Sequence, residues 1–334
     1  MTTVSTAQAG TAPKPAPPLL EVDDLVVHFE GRRRQQPIRA VDGVSLGIGR
    51  GETLGLIGES GSGKSTIGRA VLGLLRPKAG AVRFEGEDPW TQPGRRRREL
   101  RRRMQVVFQD PHEALDPRMT VEQSVAEPLL MTGVRRPERL RRAADLLERV
   151  GLGDAHRYRR PHELSGGQKQ RVNIARALAS DPDLIVCDES VSALDVSIQA
   201  EILNLLVDLQ DERGLSYLFI SHDISVVAHL SHRVTVLYLG MVMESGAVGA
   251  VVDRPAHPYT RALLAAQPRA LPSYLRTERR EVLRGDIPSP AAPPSGCRFR
   301  TRCPFARDRC AQEIPAVREL EPGRTVACHF AEQL

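Results

Sequence analysis

Eight residues, Gly58-Glu59-Ser60-Gly61-Ser62-Gly63-Lys64-Ser65, separate the apolar run Thr53 to Ile57 from Ser65 to Leu75, where apolar residues recur with helical period. Glycines at 58, 61 and 63 free the backbone to turn its N–H groups inward, and the following helix presents its positive end to the same point. A strand, loop and helix of this kind cradle a phosphate chain. Lys64 reaches the β- and γ-phosphates, the Ser65 hydroxyl is the expected Mg²⁺ ligand, and Thr66 continues the binding set. The motif needs a buried strand feeding the loop, and so commits the chain to an α/β fold with a mainly parallel sheet covered by helices on both faces.

Further residues extend that site. Leu184-Ile185-Val186-Cys187-Asp188-Glu189 is an apolar strand ending in two carboxylates, at the sheet edge where parallel strands bind ligands. Asp188 is expected to hold Mg²⁺, and Glu189 to act as general base on the attacking water, whereas Cys187 reads as core packing. Gln109 follows the apolar Val106-Val107-Phe108 and is placed to touch Mg²⁺ or the lytic water. His222 ends another strand, Tyr217 to Ile220, within reach of the γ-phosphate. Ser165, Gly166, Gly167 and Gln168 open a helix and form a second anion binder, which one phosphate chain already held by the first loop does not need.

Along the chain, residues 1–18 read as a disordered Ala/Thr/Pro-rich tail, 19–266 as the nucleotide-binding domain with a helical insert at about 110–164, and 267–334 as a loop-rich appendage. There is no apolar run of about 18 residues and no secretory pattern, so a cytoplasmic setting is expected. Positive charge is carried almost wholly by arginine, lysine being confined to Lys14, Lys64, Lys78 and Lys169, which fits a composition bias better than a surface for anionic lipid or nucleic acid. The run Arg95 to Arg98 with Arg101 to Arg103 reads as a solvated helix face, and Trp90 has no assigned role.

The two glycine-rich binders with the acidic strand end resemble the ATP-binding cassette (ABC) superfamily. That resemblance implies a P-loop NTPase cassette fold: a mainly parallel sheet flanked by helices, an antiparallel β subdomain, an inserted helical subdomain, and here a small cysteine-containing appendage. It also implies that the Ser165–Gln168 signature contacts the nucleotide of a partner subunit, that Ser192-Ala193-Leu194-Asp195 lies at the dimer interface, and that Phe29 stacks on adenine. Val107-Phe108-Gln109-Asp110-Pro111, Leu115 to Val121, Ser221 to Val227 and His257-Pro258-Tyr259-Thr260-Arg261-Ala262-Leu263 are similar to the oligopeptide/dipeptide permease ATPases, among them the F-type subunit. Ser190 departs from that family, which usually has proline there.

The expected function is therefore ATP hydrolysis powering peptide import. The expected partners are a second ATPase, two membrane permease subunits and a substrate-binding protein, with no nucleic acid. Nickel and glutathione importers resemble the same family, and a soluble cassette ATPase is the remaining alternative. Cys297, Cys303, Cys310 and Cys328 are spaced C-x5-C-x6-C-x17-C, suited to a metal-organised tail. Family members carry similar cysteine tails, some binding a [4Fe-4S] cluster. Zinc and unligated thiols are the alternatives.

Overall fold

The computed structural model describes residues 17–30, 36–266 and 285–334. Most of the expected N-terminal tail, part of the arginine-rich turn at 31–37 and the start of the appendage lie outside them.

Five parallel strands form one side of an eight-stranded sheet. They are β3 (Thr53–Ile57), β5 (Met104–Val107), β6 (Leu184–Asp188), β7 (Ser216–Ser221) and β8 (Arg233–Tyr238), in spatial order β8-β3-β7-β6-β5, with β5 at the sheet edge. Every residue of β3 and β7 is buried, as expected of strands covered on both faces. Alternation sends Tyr217 and Phe219 into one core and Leu218 and Ile220 into the other. In the second core, α1 (Lys64–Val71) places Ile67 and Val71 beneath the sheet. The antiparallel subdomain closes that side: β1 (Leu20–Phe29) runs between β2 (Ile38–Ile48) and β4 (Ala79–Phe84), burying Leu20, Val22, Leu25 and Val27.

The opposite core holds α6 (Gly166–Leu178), α7 (Val196–Arg213), α8 (Ile224–Leu230) and the helical insert, composed of α3 (Val121–Ala126), α4 (Arg136–Arg149) and α5 (Asp154–Arg157). Thr120 begins α3 with a reciprocal cap: its hydroxyl accepts from the Gln123 N–H at 3.3 Å, and Gln123 Oε1 accepts from the Thr120 N–H at 3.0 Å. The helical period of Val121 to Leu130 predicts one helix. Instead α3 stops at Ala126 and Pro128, which has no N–H to continue it, opens a 3₁₀ turn over Pro128–Thr132.

The appendage is less separate than its composition suggests. After β8 the chain adds β9 (Met241–Ala247) antiparallel, followed by α9 (Val248–Asp253) and α10 (Pro258–Ala266). At the far end, the hairpin of β10 (Arg318–Glu321) and β11 (Arg324–Val326) pairs with β9 and completes the eight-stranded sheet. The fully buried Glu244 carboxylate receives Arg324 Nη2 at 2.7 Å and the N–H groups of Ala256 and His257 at 3.0 and 2.9 Å, so this buried charge is both paired and hydrogen-bonded. Too poor in apolar residues for a core of its own, the appendage buries Cys297, Phe299 and Cys310 against the cassette.

Helix α2 (Gly94–Arg103) also differs from a purely solvated face. Arg95, Arg98 and Arg102 are exposed, but Arg96 pairs with Glu87 and Glu99, and Arg103 with Glu85 and Asp183. Arg101 donates to the Gly73 carbonyl and lies over the Trp90 ring, giving that tryptophan a packing role.

Candidate nucleotide-binding site

The carboxyl ends of β3, β5, β6 and β7 lie along one edge of the parallel sheet, and each delivers one part of the site. From β3 the chain enters the Gly58–Gly63 loop. Gly63 has φ of +105°, and a Cβ there would sit 2.3 Å from the Ala40 carbonyl oxygen, so neither the conformation nor the space admits another residue. Lys64, first in α1, is buried and donates from Nζ to the carbonyls of Gly58 at 2.7 Å and Glu59 at 3.0 Å. Burial lowers its pKa, opposed by the negative charges of Glu189, Asp188 and Glu59.

Ser65 Oγ donates to Asp188 Oδ1 at 2.8 Å, joining the two expected Mg²⁺ ligands across 123 residues. Burial raises the Asp188 pKa, partly offset by that hydrogen bond. Glu189 follows with φ of +48°, a left-handed backbone uncommon for a side-chain-bearing residue, held by its N–H donating to the Ile220 carbonyl at 3.0 Å. Its Oε2 accepts from Gln109 Nε2 at 3.0 Å and lies 3.5 Å from His222 Nδ1. Lys64, Ser65, Gln109, Asp188, Glu189 and His222 thus meet at one sheet edge. A buried ammonium, a hydroxyl–carboxylate pair and a carboxylate oriented by an amide suit a magnesium-bound triphosphate with a water beyond it. Cys187, one residue before Asp188, is fully buried with its thiol pushed up to about 12, in keeping with a core role.

The second anion binder stands apart. Ser165 caps α6: its hydroxyl accepts from the Gln168 N–H at 3.3 Å while Gln168 Oε1 accepts from the Ser165 N–H at 3.0 Å. Among the described residues, no hydrogen bond joins this helix start to the Gly58–Thr66 loop. Gly167 lets α6 approach α7, since a Cβ there would lie 2.5 Å from Ile198 Cγ2. Gly166 and Leu194 line a cleft with Gln109 and His112. Asp195 precedes α7, its carbonyl accepting from the Gln199 N–H at 2.8 Å, and Phe29, 40% exposed, ends β1. Ser190 is buried beside the site, its carbonyl accepting from Gln170 Nε2 at 2.7 Å.

Two contacts to the loop had no signal in residue spacing. Glu59 receives Arg302 from 243 residues away, and its N–H donates to Tyr259 Oη at 2.9 Å. Cys297, Cys303, Cys310 and Cys328 line one small cavity with His257 and Phe330, and none forms a disulfide. Burial pushes the Cys297 and Cys303 thiols up to about 11. Among the described residues, no group of three or more His, Cys, Asp or Glu side chains is arranged to hold a metal ion.

Comparison with known proteins places these features. Residues 41–192 match the ABC transporter family, and residues 243–310 the oligopeptide/dipeptide transporter C-terminal region. The chain is 54% identical over 312 residues to a putative peptide import ATP-binding protein of Brucella ovis, spanning 93% of this chain and 97% of that one. It is 47% identical over 315 residues to the putative oligopeptide transport ATP-binding protein YkfD of Bacillus subtilis, spanning 94% and 95%. Among solved structures, the ATP-binding cassette MJ0796, as a dimer bound to ADP and phosphate, aligns with a TM-score of 0.62 at 31% identity over 69% of this chain and 98% of its own. CbiO1 of Clostridium perfringens aligns at 0.63 and 30%, over 71% and 91%. With the loop, the paired carboxylates, the signature helix and the C-terminal region all in place, the chain belongs to the ABC transporter family, in its oligopeptide/dipeptide branch.

Proposed function

We propose that this chain is the ATP-hydrolysing subunit of an importer that takes up peptides through separate membrane subunits. The observation that carries the reading is the convergence of Lys64, Ser65, Asp188 and Glu189 at one sheet edge. The backbone N–H groups of the Gly58–Gly63 loop and Lys64 bind the β- and γ-phosphates. Ser65, Asp188 and Gln109 would hold Mg²⁺, which would supply positive charge against the phosphates, and Phe29 stacks on adenine. Glu189 takes a proton from the attacking water while Gln109 fixes its carboxylate, and His222 steadies the γ-phosphate. Ser165 to Gln168 complete the site of a partner ATPase, so hydrolysis requires a dimer with a second ATPase subunit.

Among the described residues no helix is long and apolar enough to cross a membrane. The chain works on the cytoplasmic face, docked through residues 110–164 on two permease subunits that receive cargo from a substrate-binding protein. Peptide cargo follows from the names of the relatives at 54% and 47% identity. Cys297, Cys303, Cys310 and Cys328 line one cavity, and a [4Fe-4S] cluster held there would pin the appendage to the cassette, although their side chains are not grouped for a metal ion in this structure. The test is uptake of labelled di- and oligopeptides by vesicles holding the assembled transporter. ATP-dependent uptake lost in the Glu189→Gln complex supports the reading. Nickel or glutathione uptake in place of peptides reassigns the cargo, and no ATP-dependent uptake of any of these overturns transport.

A further inference from the structure

The phosphate loop is gripped from outside the cassette. Arg302 Nη1 and Nη2 donate to Glu59 Oε2 and Oε1 at 2.6 and 3.0 Å, a bidentate pair whose guanidinium is 6% exposed. Arg302 Nη1 also lies 3.4 Å from Tyr238 Oη, and the guanidinium sits over the Tyr238 ring. Tyr238, Tyr259 and Phe299 form a buried aromatic cluster that fixes this position, and Tyr259 Oη takes the Glu59 N–H. Arg302 and Tyr259 both fall in the C-terminal region at 243–310, whereas Glu59 belongs to the cassette at 41–192. Glu59 occupies a position that the phosphate-loop pattern leaves open, so the pattern does not explain its charge.

That charge is costly where it stands. Glu59 is the second residue of the phosphate loop and its own carbonyl holds Lys64 Nζ at 3.0 Å, so its carboxylate is a negative charge carried on the loop that must receive a triphosphate, and like charges repel. We infer that Arg302 is a positioning residue for ATP binding, neutralising and anchoring Glu59 so that the C-terminal region sets the nucleotide affinity of the phosphate loop. Arg302 touches neither the water-activating carboxylate nor the Mg²⁺ ligands, so it acts on nucleotide affinity and leaves turnover alone.

The test compares Arg302→Gln, Glu59→Gln and the double variant in the assembled transporter, by KM for ATP, kcat and thermal melting. Arg302→Gln bares the Glu59 charge and raises KM about tenfold, a tenfold change being one decade of affinity, with kcat within twofold. Removing the charge from the same background restores affinity: the double variant returns to within about threefold of wild type by the same scale. A merely structural role makes the double variant as impaired as Arg302→Gln, and that result overturns the inference, as does an unchanged KM in folded Arg302→Gln. If Arg302→Gln does not fold, Arg302→Lys decides, since it keeps the charge but loses the fork. A KM raised about threefold and corrected by Glu59→Gln supports the inference, and a wild-type KM rejects it.

Discussion

Gln109 Nε2 donates to Glu189 Oε2 at 3.0 Å, joining the residue just before the helical insert to the carboxylate that follows β6. The same oxygen lies 3.5 Å from His222, so Glu189 is oriented from two neighbouring strand ends. A carboxylate so held, beside the Ser65–Asp188 pair, is the group placed to accept a proton from water. Glu189→Gln keeps the size and the amide contact but cannot take the proton, and ATPase turnover is expected to fall by about 10² to 10⁴. Fluorescent-nucleotide titration of the variant should show ATP binding retained, while near-normal turnover rejects the assignment.

Gly167 brings α6 close against Ile198 of α7. Gly167→Ala places a methyl group 2.5 Å from Ile198 Cγ2, a contact that forces the helices apart. Overpacking of this kind costs about 1–3 kcal/mol. The melting temperature of the purified chain should drop by several degrees with ATP binding preserved. An unchanged melting temperature shows that α7 yields at no cost.

Glu85 is held at about 2, against an ordinary 4.5, chiefly by its hydrogen bond from Arg103 with further help from Arg50. A carboxylate with a depressed folded-state pKa stabilises above its unfolded pKa, and that contribution is lost as pH falls through the folded value. The stability advantage of wild type over Glu85→Gln should therefore be full above pH 4.5 and shrink towards pH 2. Urea unfolding of both proteins at neutral pH and near pH 3 measures it; a gap that widens on acidification contradicts the pairing. Because the Arg103 and Glu85 side chains stay 21% and 25% exposed at the surface, solvent screens the pair and the gap is modest even at neutral pH.

Much of this was legible in the sequence, for reasons specific to each element. Thr53–Ile57 and Leu184–Asp188 fall where the apolar pattern places them, because each is a short buried run closed by the polar residues of the site. The meeting of Lys64, Asp188, Glu189, Gln109 and His222 follows from parallel strands ending at one edge. The break after Ala126 was masked because apolar spacing runs on through Pro128 into a 3₁₀ turn. The hairpin Arg318–Val326 joins the sheet with half-exposed, charged β10 residues, which show no strand alternation. Arg302 was invisible because its partner is 243 residues away, and one arginine among many carries no pattern.

Cys297, Cys303, Cys310 and Cys328 line one cavity together with His257 and Phe330. With a [4Fe-4S] cluster bound there, anaerobically purified protein is brown, with broad absorption near about 400 nm from cysteine-ligated iron. The Cys303→Ser, Cys310→Ser double variant should lose iron and become protease-sensitive after Gln267, because ligation replaces a missing core. Colourless, iron-free protein with four titratable thiols rejects the cluster, and stoichiometric zinc replaces it with a single-ion site.

In the proposed function the two anion-binding helix ends, at Lys64 and at Ser165, serve two different nucleotides. The direct measurement is ATP binding and turnover in an assembled transporter whose chain carries Ser165→Arg, which crowds the signature helix and leaves the Gly58–Thr66 loop intact. The account predicts that hydrolysis at the site shared with the partner's phosphate loop is abolished while this chain's own loop still binds ATP. Loss of ATP binding at this chain's own loop would place the signature and the loop on one nucleotide and contradict the account.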